Sequence, residues 1–155
     1  MSTAQKRTQI FQATVTWDKE TGGDITIKDF PEIKIDTPVE WGGQSRSYCP
    51  DQLFVSSVGG CLLDTFLFIK NRMRLNLLDL KIPLQMSIRQ ARDGYHVKEI
   101  KGKIQATVDK GEKEKGETCA ELAEEYCHIL RLIKKAIPVK ITFEVTETSS
   151  NADPS

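Results

Sequence analysis

The sequence predicts an α+β fold, and three observations carry that prediction. Segments in which apolar and polar residues alternate, the period of a half-buried strand, occur near the start, in the middle and near the end of the chain. Between them lie an apolar helical segment after Pro50 and an amphipathic one from about Glu117. The resulting order is βββ-α-ββ-α-β. Because few of these connections are β-α-β crossovers, we expect mainly antiparallel sheets.

The first third of the chain predicts three short strands. Apolar residues alternate with polar ones over 11–17, and the glycine pair within 21–24 indicates a turn. Short strands are predicted at 25–27 and 33–35. Residues 36–49 are rich in proline, glycine and serine, which is typical of a loop.

The first helix is predicted to begin at Pro50. Proline suits the first helical position because its missing N–H has no partner there, and Asp51 is favourable near the positive end of the helix dipole. The segment to about Arg74 is apolar around most of its circumference. Such a helix is expected in the centre of a protein.

Two strands follow that helix, over 80–88 and 100–108, joined by a hairpin turn at 92–94. Pro83 lies within the first of them. Because proline has no N–H to donate, it indicates a bulge or an exposed strand side at this point.

The second helix is predicted over 117–136, where Pro138 follows its end, and the last strand over 139–145. No repeat or domain boundary is visible in the sequence. We therefore predict one domain over 1–146 and a polar, disordered tail over 147–155.

Composition excludes several classes of protein. The 155 residues carry 22 basic and 22 acidic side chains, a balance that argues against a nucleic-acid-binding protein. The N-terminal segment lacks the apolar run of a signal peptide, and no stretch of about 18 consecutive apolar residues predicts a membrane span. A cytoplasmic location follows as an expectation, without membrane or nucleic-acid partners. Stable structural disulfides are uncommon there, so the four cysteines are predicted to be free thiols, metal ligands or redox residues.

Metal binding is not favoured by the spacing of these cysteines. Cys119 and Cys127 are eight residues apart, which is about 12 Å along a continuous helix. His128 directly follows Cys127 and would point about 100° away from it on such a helix. Neither His96 nor His128 lies in a recognisable nucleophile motif. No metal and no bound cofactor are therefore predicted.

Thiol redox chemistry is the remaining possibility. A thiolate attacks a peroxide to give a sulfenic acid, which a second thiol converts to a disulfide. Gly59 and Gly60 remove side chains from the helix turn before Cys61, which would allow close approach of another segment or room for a substrate. From the residues alone, the interpretation of Cys61 and Cys127 as small buried core residues is favoured over a role in chemistry.

Two motifs resemble the OsmC/Ohr family, the osmotically inducible and organic hydroperoxide resistance proteins, with the OsmC-like branch the nearer. Cys61 lies eleven residues after the helix-opening Pro50-Asp51-Gln52-Leu53, and Cys127 ends the segment Ala123-Glu124-Glu125-Tyr126-Cys127. The resemblance implies sheets that wrap long central helices in an intertwined homodimer, with active sites at the subunit interface. It implies Cys61 as the peroxidatic and Cys127 as the resolving cysteine. It also implies organic hydroperoxides as substrates and an external dithiol or lipoyl-type reductant.

The sequence departs from the family at the groups that activate the thiol. Asp51 follows the proline where the family usually has Glu, and the arginine positions of both named branches hold other residues. Arg46, in the loop before the helix, is the nearby substitute. The candidate catalytic residues are therefore Cys61, Cys127, Asp51 and Arg46.

The sequence thus predicts a thiol-dependent peroxidase for organic hydroperoxides that works through a Cys61–Cys127 disulfide. Apolar residues near Cys61 along the helix are expected to favour an organic substrate; they are Leu53, Phe54, Val58, Leu62 and Phe66. A small-molecule-binding or redox-sensing protein on the same scaffold, and an inert structural dimer, remain as alternatives.

Overall fold

The structure, a computed structural model, describes residues 8–148 of the 155-residue chain. The chain divides into two compact units, Met1–Leu53 and Phe54–Ser155. The predicted α+β class and order of elements are confirmed, although one predicted strand and one predicted helix are each divided in two. The prediction of a single domain over 1–146 stays a prediction.

The first unit contains a three-stranded antiparallel sheet. Its strands β1 (Thr14–Trp17), β2 (Gly22–Thr26) and β3 (Ile33–Asp36) lie in that order, and a short 3₁₀ helix (Val39–Trp41) follows. The glycine pair predicted as a turn begins β2 instead. A Cβ atom on Gly22 would lie 2.2 Å from the carbonyl oxygen of Ile35, so only glycine allows β3 to approach so closely.

Helix α1 (Pro50–Met73) begins at Pro50, as predicted. Its N-terminus has half of a capping box: the backbone N–H of Cys49 donates to Gln52 Oε1 at 2.9 Å, whereas the Gln52 N–H donates at 3.0 Å to the backbone carbonyl of Cys49 and not to its side chain. The helix ends where Arg74 takes a left-handed conformation, with φ of 52°. Its buried side chains are Val58, Leu62, Phe66 and Ile69.

Among residues 8–148, α1 is the one helix long and apolar enough to cross a membrane, with a mean hydropathy of 1.6 over its most apolar window. The sequence predicted no membrane span, because this helix contains no uninterrupted run of about 18 apolar residues. The core helix of a soluble protein meets the same criterion, so this composition does not by itself indicate a membrane segment.

The sheet of the second unit is built on its longest strand, β6 (Gly94–Val108). Two strands, β4 (Leu77–Lys81) and β5 (Leu84–Ala91), pair antiparallel with successive parts of it. The predicted strand over 80–88 is divided between them at Pro83, whose carbonyl accepts a hydrogen bond from the Lys103 N–H at 3.1 Å. The division follows from the missing N–H of proline.

The last strand, β7 (Val139–Glu147), pairs in parallel with β6, because a helical segment connects the two strands. It includes Glu147, the first residue of the predicted tail. Residues 149–155 of that tail lie outside the described residues.

The helical segment between β6 and β7 consists of α2 (Lys113–Tyr126) and α3 (His128–Ile133). The single helix predicted over 117–136 is interrupted at Cys127, whose φ of −62° and ψ of 109° are extended rather than helical. One core joins α1, the helices and the sheet of this unit. Its residues with no exposed surface include Val58, Leu62, Phe66, Ile100, Ile104, Val108, Ala120, Ala123 and Leu130.

Candidate active site

Cys61 lies in the middle of α1, at the edge of its buried face. Val58 and Leu62 on that face have no exposed surface, whereas Cys61 itself is half-buried. The Thr65 hydroxyl donates to the Cys61 carbonyl at 2.7 Å, one turn along the helix. The thiol is therefore carried by a rigid element and reaches the border between core and solvent.

Cys127 occupies the break between α2 and α3. Its backbone N–H donates to the Ala123 carbonyl at 3.0 Å and closes α2, while its own carbonyl accepts from the Arg131 N–H at 2.9 Å and opens α3. The residue has no exposed surface. Because one helix ends and another begins on it, its position is held from both sides.

The two thiols meet in the second unit. The Cys127 S–H donates to Cys61 Sγ, and the two sulfur atoms are 3.3 Å apart although 66 residues separate them in sequence. Both cysteines are free thiols. A disulfide needs the sulfur atoms about 2.0 Å apart, so a shift of about 1 Å would allow the bond to form.

Burial raises the pKa of the Cys127 thiol to about 11, opposed by the nearby backbone N–H groups of Leu130 and Ile129 and reinforced by the adjacent Cys61. Near neutral pH Cys127 is therefore a thiol and can donate its proton to Cys61. Burial likewise raises the pKa of Cys119 to about 11, and its S–H points to the Phe66 carbonyl at 3.6 Å. Cys119 is thus a core residue.

His128 is the functional candidate that the sequence prediction missed. Its Nδ1 and Nε2 atoms lie 3.6 and 3.9 Å from Cys61 Sγ. The expected divergence of about 100° from Cys127 assumed a continuous helix, whereas the extended backbone at Cys127 allows both side chains to reach Cys61. The signal available in the sequence was that His128 directly follows Cys127.

Arg46 lies in the first unit, where carboxylates surround its guanidinium. Its Nε donates to Asp36 at 2.7 Å, and its Nη1 and Nη2 atoms donate to Glu20 and Asp18 at 2.6 Å each. Asp36 is only 2% exposed and also accepts from the Thr21 hydroxyl at 2.7 Å. The hydrogen bond to Asp36, with that to Asp18, raises the pKa of Arg46, and Arg46 and Thr21 in turn lower the pKa of Asp36. These contacts are those of a structural ion-pair cluster.

Asp51, also in the first unit, accepts a hydrogen bond from the Cys49 thiol at 3.7 Å. The structure thus brings Cys61 and Cys127 together in the second unit, and it gives Arg46 and Asp51 separate partners within the first. The catalytic roles of all four residues stay predictions.

An apolar cavity of about 290 Å³ lies beside α1 in the second unit. It is lined by Val55, Ser56, Gly59, Gly60, Leu63, Ile82 and Leu84. At about 100° per residue, the α1 positions that line it are roughly opposite Cys61 on the helix. The room left by the glycine pair is therefore not at the thiol.

Five apolar residues were expected to favour an organic substrate. Leu53 is half-buried and belongs to the first unit, and the other four, in the second unit, divide into two groups. Val58, Leu62 and Phe66 have no exposed surface and belong to the core, so they cannot touch a substrate in this conformation. Phe54 is 43% exposed and lies two turns before Cys61, on the same side of the helix.

The fold and the site together define an α+β protein in which a thiol on a central apolar helix meets a second thiol at a helix break. The family model for OsmC-like proteins matches residues 42–142. The chain belongs to the OsmC-like family.

Solved structures share its fold. A hypothetical protein from Aquifex aeolicus VF5 is 22% identical with a TM-score of 0.75, covering 92% of this chain and 100% of that one. An OsmC-like protein from Mycoplasma pneumoniae is 12% identical with a TM-score of 0.77, and the match covers 89% of this chain and 98% of that one. An organic hydroperoxide resistance protein from Elizabethkingia anophelis is 18% identical with a TM-score of 0.72, and the match covers 92% of this chain and 100% of that one. No curated protein matches the sequence significantly.

Proposed function

We propose that the protein is a thiol-dependent peroxidase that reduces organic hydroperoxides through a Cys61 sulfenic acid and a Cys61–Cys127 disulfide. The observation that carries this proposal is the 3.3 Å distance between the two sulfur atoms. Membership of the OsmC-like family supports it, as does the fold shared with the organic hydroperoxide resistance protein from Elizabethkingia anophelis.

The proposed cycle has two chemical steps. The Cys61 thiolate attacks one peroxide oxygen of ROOH, the O–O bond breaks, and Cys61–SOH and an alkoxide form; the alkoxide takes a proton to give ROH. The Cys127 sulfur then attacks the sulfenic sulfur, and the hydroxyl leaves with the Cys127 proton as water. An external dithiol or lipoyl-type reductant regenerates both thiols, so the cycle needs no bound cofactor.

The raised pKa of Cys127 suits the resolving role in this cycle. A thiol with a pKa of about 11 is a poor nucleophile toward peroxide at neutral pH, so Cys127 does not compete with Cys61 for the substrate. Its S–H instead points at Cys61 Sγ, the atom that it must later join. Assisting roles for Arg46 and Asp51 stay part of the proposal, although the carboxylate partners of Arg46 favour a structural one.

A homodimer and a cytoplasmic location complete the proposal. Large apolar side chains of the second unit remain exposed in the single chain, including Phe68 on α1 at 57% and Leu132 on α3 at 68%. A second copy of the chain would remove such surface from water, which is the usual driving force for association.

The test is to mix reduced protein with one equivalent of cumene hydroperoxide under anaerobic conditions and to measure thiol loss and disulfide mass. Wild type should lose two thiols as a Cys61–Cys127 disulfide. Cys127→Ser should stop at the sulfenic acid, and Cys61→Ser should not react. Cys119→Ser is the matched control, because that thiol belongs to the core. A Cys61→Ser variant that consumes peroxide at the wild-type rate would refute the proposal.

A redox-sensing protein with little turnover is the second candidate. The observation that favours it is the engagement of Arg46 by three carboxylates, since Arg46 was the predicted activating cation. Turnover separates the two functions. A peroxidase consumes many equivalents of hydroperoxide when dithiothreitol or dihydrolipoamide is supplied, whereas a sensor forms its disulfide once and slowly.

A further inference from the structure

We propose that His128 is a catalytic residue of this cycle: its imidazolium holds Cys61 as a thiolate and then protonates the alkoxide that leaves. The second of these actions, protonation of the alkoxide, rests on the proposed peroxidase function. The first action, stabilisation of the Cys61 thiolate, is measurable without any peroxide.

The geometry around Cys61 Sγ supports this role. The sulfur accepts the S–H of Cys127 at 3.3 Å, and the His128 ring is a second polar neighbour, with Nδ1 at 3.6 Å and Nε2 at 3.9 Å. One donor, the Cys127 thiol, and one ring that can carry a positive charge therefore lie beside the same sulfur atom. Because both nitrogens of the ring lie at similar distances, the sulfur lies beside the ring rather than in line with one N–H, and a protonated ring would act on it through its charge.

Charge distinguishes the two neighbours of the Cys61 sulfur. Cys127 offers a neutral hydrogen bond, whereas histidine is the side chain that gains a positive charge near neutral pH. A cation beside a cysteine favours its thiolate. On α1 itself the charged side chain one turn from Cys61 is Asp64, whose negative charge opposes a thiolate. His128 thus supplies the charge that α1 does not.

The plain alternative is that His128 is an exposed polar residue at a helix end. It is the first residue of α3 and is exposed. The dipole at a helix N-terminus disfavours a positive charge, so it opposes an imidazolium here, and in the proposed pair the adjacent Cys61 thiolate supplies the compensating negative charge. Stability of α3 therefore gives no reason for an imidazole at this position, whereas contact with Cys61 does.

The proton moves once in the proposed step. The Cys61 thiolate and the His128 imidazolium together hold the same number of protons as a neutral thiol and a neutral imidazole. When Cys61 attacks ROOH, sulfur loses two electrons to the O–O bond, Cys61–SOH forms, and the imidazolium proton passes to RO⁻ to give ROH. His128 is then neutral, and it regains a proton when the reductant restores Cys61.

The experiment compares wild type with His128→Gln, and His96→Gln is the matched control. His96 is the other histidine of the chain and contacts Asp93 at 2.9 Å instead of a thiol. Alkylation of Cys61 by iodoacetamide at neutral pH, followed by peptide mass spectrometry, measures the thiolate. Stopped-flow oxidation with cumene hydroperoxide measures the peroxide step. Circular dichroism checks that each variant is folded.

We expect His128→Gln to alkylate Cys61 at least about tenfold more slowly, and to lose about 100-fold in oxidation rate, the lower end of the effect of general acid–base groups. His96→Gln should match wild type in both. Added imidazole should partly restore the oxidation rate of His128→Ala, because the site is open to solvent; a merely structural role would give no such rescue.

The possible failures are distinguishable. If His128→Gln is alkylated and oxidised as fast as wild type, the role of His128 is wrong while the peroxidase proposal stands. If wild type is alkylated rapidly at Cys61 but forms no Cys61–Cys127 disulfide with cumene hydroperoxide, the peroxidase proposal is wrong, and so is the proton transfer to the alkoxide.

Discussion

Asp36 accepts two hydrogen bonds from Arg46 on one oxygen: Oδ2 lies 2.9 Å from the Arg46 backbone nitrogen and 2.7 Å from its Nε. The carboxylate is 2% exposed, so removing its partner or its charge leaves a buried polar group without compensation. We expect Asp36→Asn to lower the melting temperature by several degrees. Arg46→Lys should do the same, because one ammonium cannot reproduce the contacts of a planar guanidinium to several carboxylates. Wild-type melting temperatures for both variants would contradict a structural role for the cluster.

The same carboxylate predicts how stability changes with pH. Hydrogen bonds from Arg46 and Thr21 hold the pKa of Asp36 well below its usual range. A lowered pKa means that the ionised form stabilises the folded state above the unfolded value, about pH 3.9, and that this contribution is lost as the pH falls further. The difference in melting temperature between wild type and Asp36→Asn should therefore be full at pH 7 and shrink below about pH 4. A difference that is constant from pH 7 to pH 3 would exclude the charge as its cause.

The adjacent glycines of α1 should respond oppositely to alanine. A Cβ on Gly59 would lie 2.8 Å from Leu84 Cδ1, and the other methyl of Leu84 is equally confined, since a Cβ on Gly102 would lie 2.3 Å from it. Overpacking of this kind costs about 1–3 kcal/mol, more than the gain of about 1 kcal/mol in helix propensity. A Cβ on Gly60 meets nothing within 4 Å among the described residues.

We therefore expect urea denaturation to show Gly59→Ala less stable than wild type and Gly60→Ala more stable by up to about 1 kcal/mol. Because the two positions are neighbours on one helix, each is the control for the other. Equal effects at both would mean that Leu84 moves aside freely.

Two of the thiols should resist alkylation in the folded protein. Burial raises the pKa of both Cys119 and Cys127 to about 11, so about one molecule in a thousand carries either thiolate at pH 8. Iodoacetamide followed by peptide mass spectrometry should leave both unlabelled at pH 8 and label them in urea. Rapid labelling of Cys119 in the folded protein would contradict its place in the core.

Glu147 should stabilise the start of α2, although it lies beyond the predicted end of the domain. Its Oε1 accepts hydrogen bonds from the backbone N–H groups of Gly111 and Lys113, both at 3.0 Å. A negative charge is also favourable at a helix N-terminus. Ending the chain after residue 146 should therefore cost about 1 kcal/mol more than ending it after residue 148, as measured by urea denaturation. Identical midpoints would show that these bonds contribute nothing measurable.

Local patterns in the sequence predicted the type and order of most elements of this fold. Alternation identified the strands, and Pro50 identified the start of α1, because a missing N–H and a fixed φ act within a few residues wherever the chain goes. Pro83 marked the place where β4 and β5 separate for the same reason. The family resemblance at Pro50 to Cys61 and at Cys127 singled out the two cysteines.

Tertiary structure alone decided which groups surround those cysteines. The break at Cys127 has no local signal of glycine or proline, yet it brings His128 to Cys61, and a periodic helix could not have predicted that contact. Arg46 looked available for Cys61 in the sequence, but folding brought it to Asp18, Glu20 and Asp36. Periodicity reports how a segment faces a core, whereas the partner of a charge or a thiol depends on segments many residues away. The sequence by itself therefore identified the thiols, and only the folded chain identified what lies beside them.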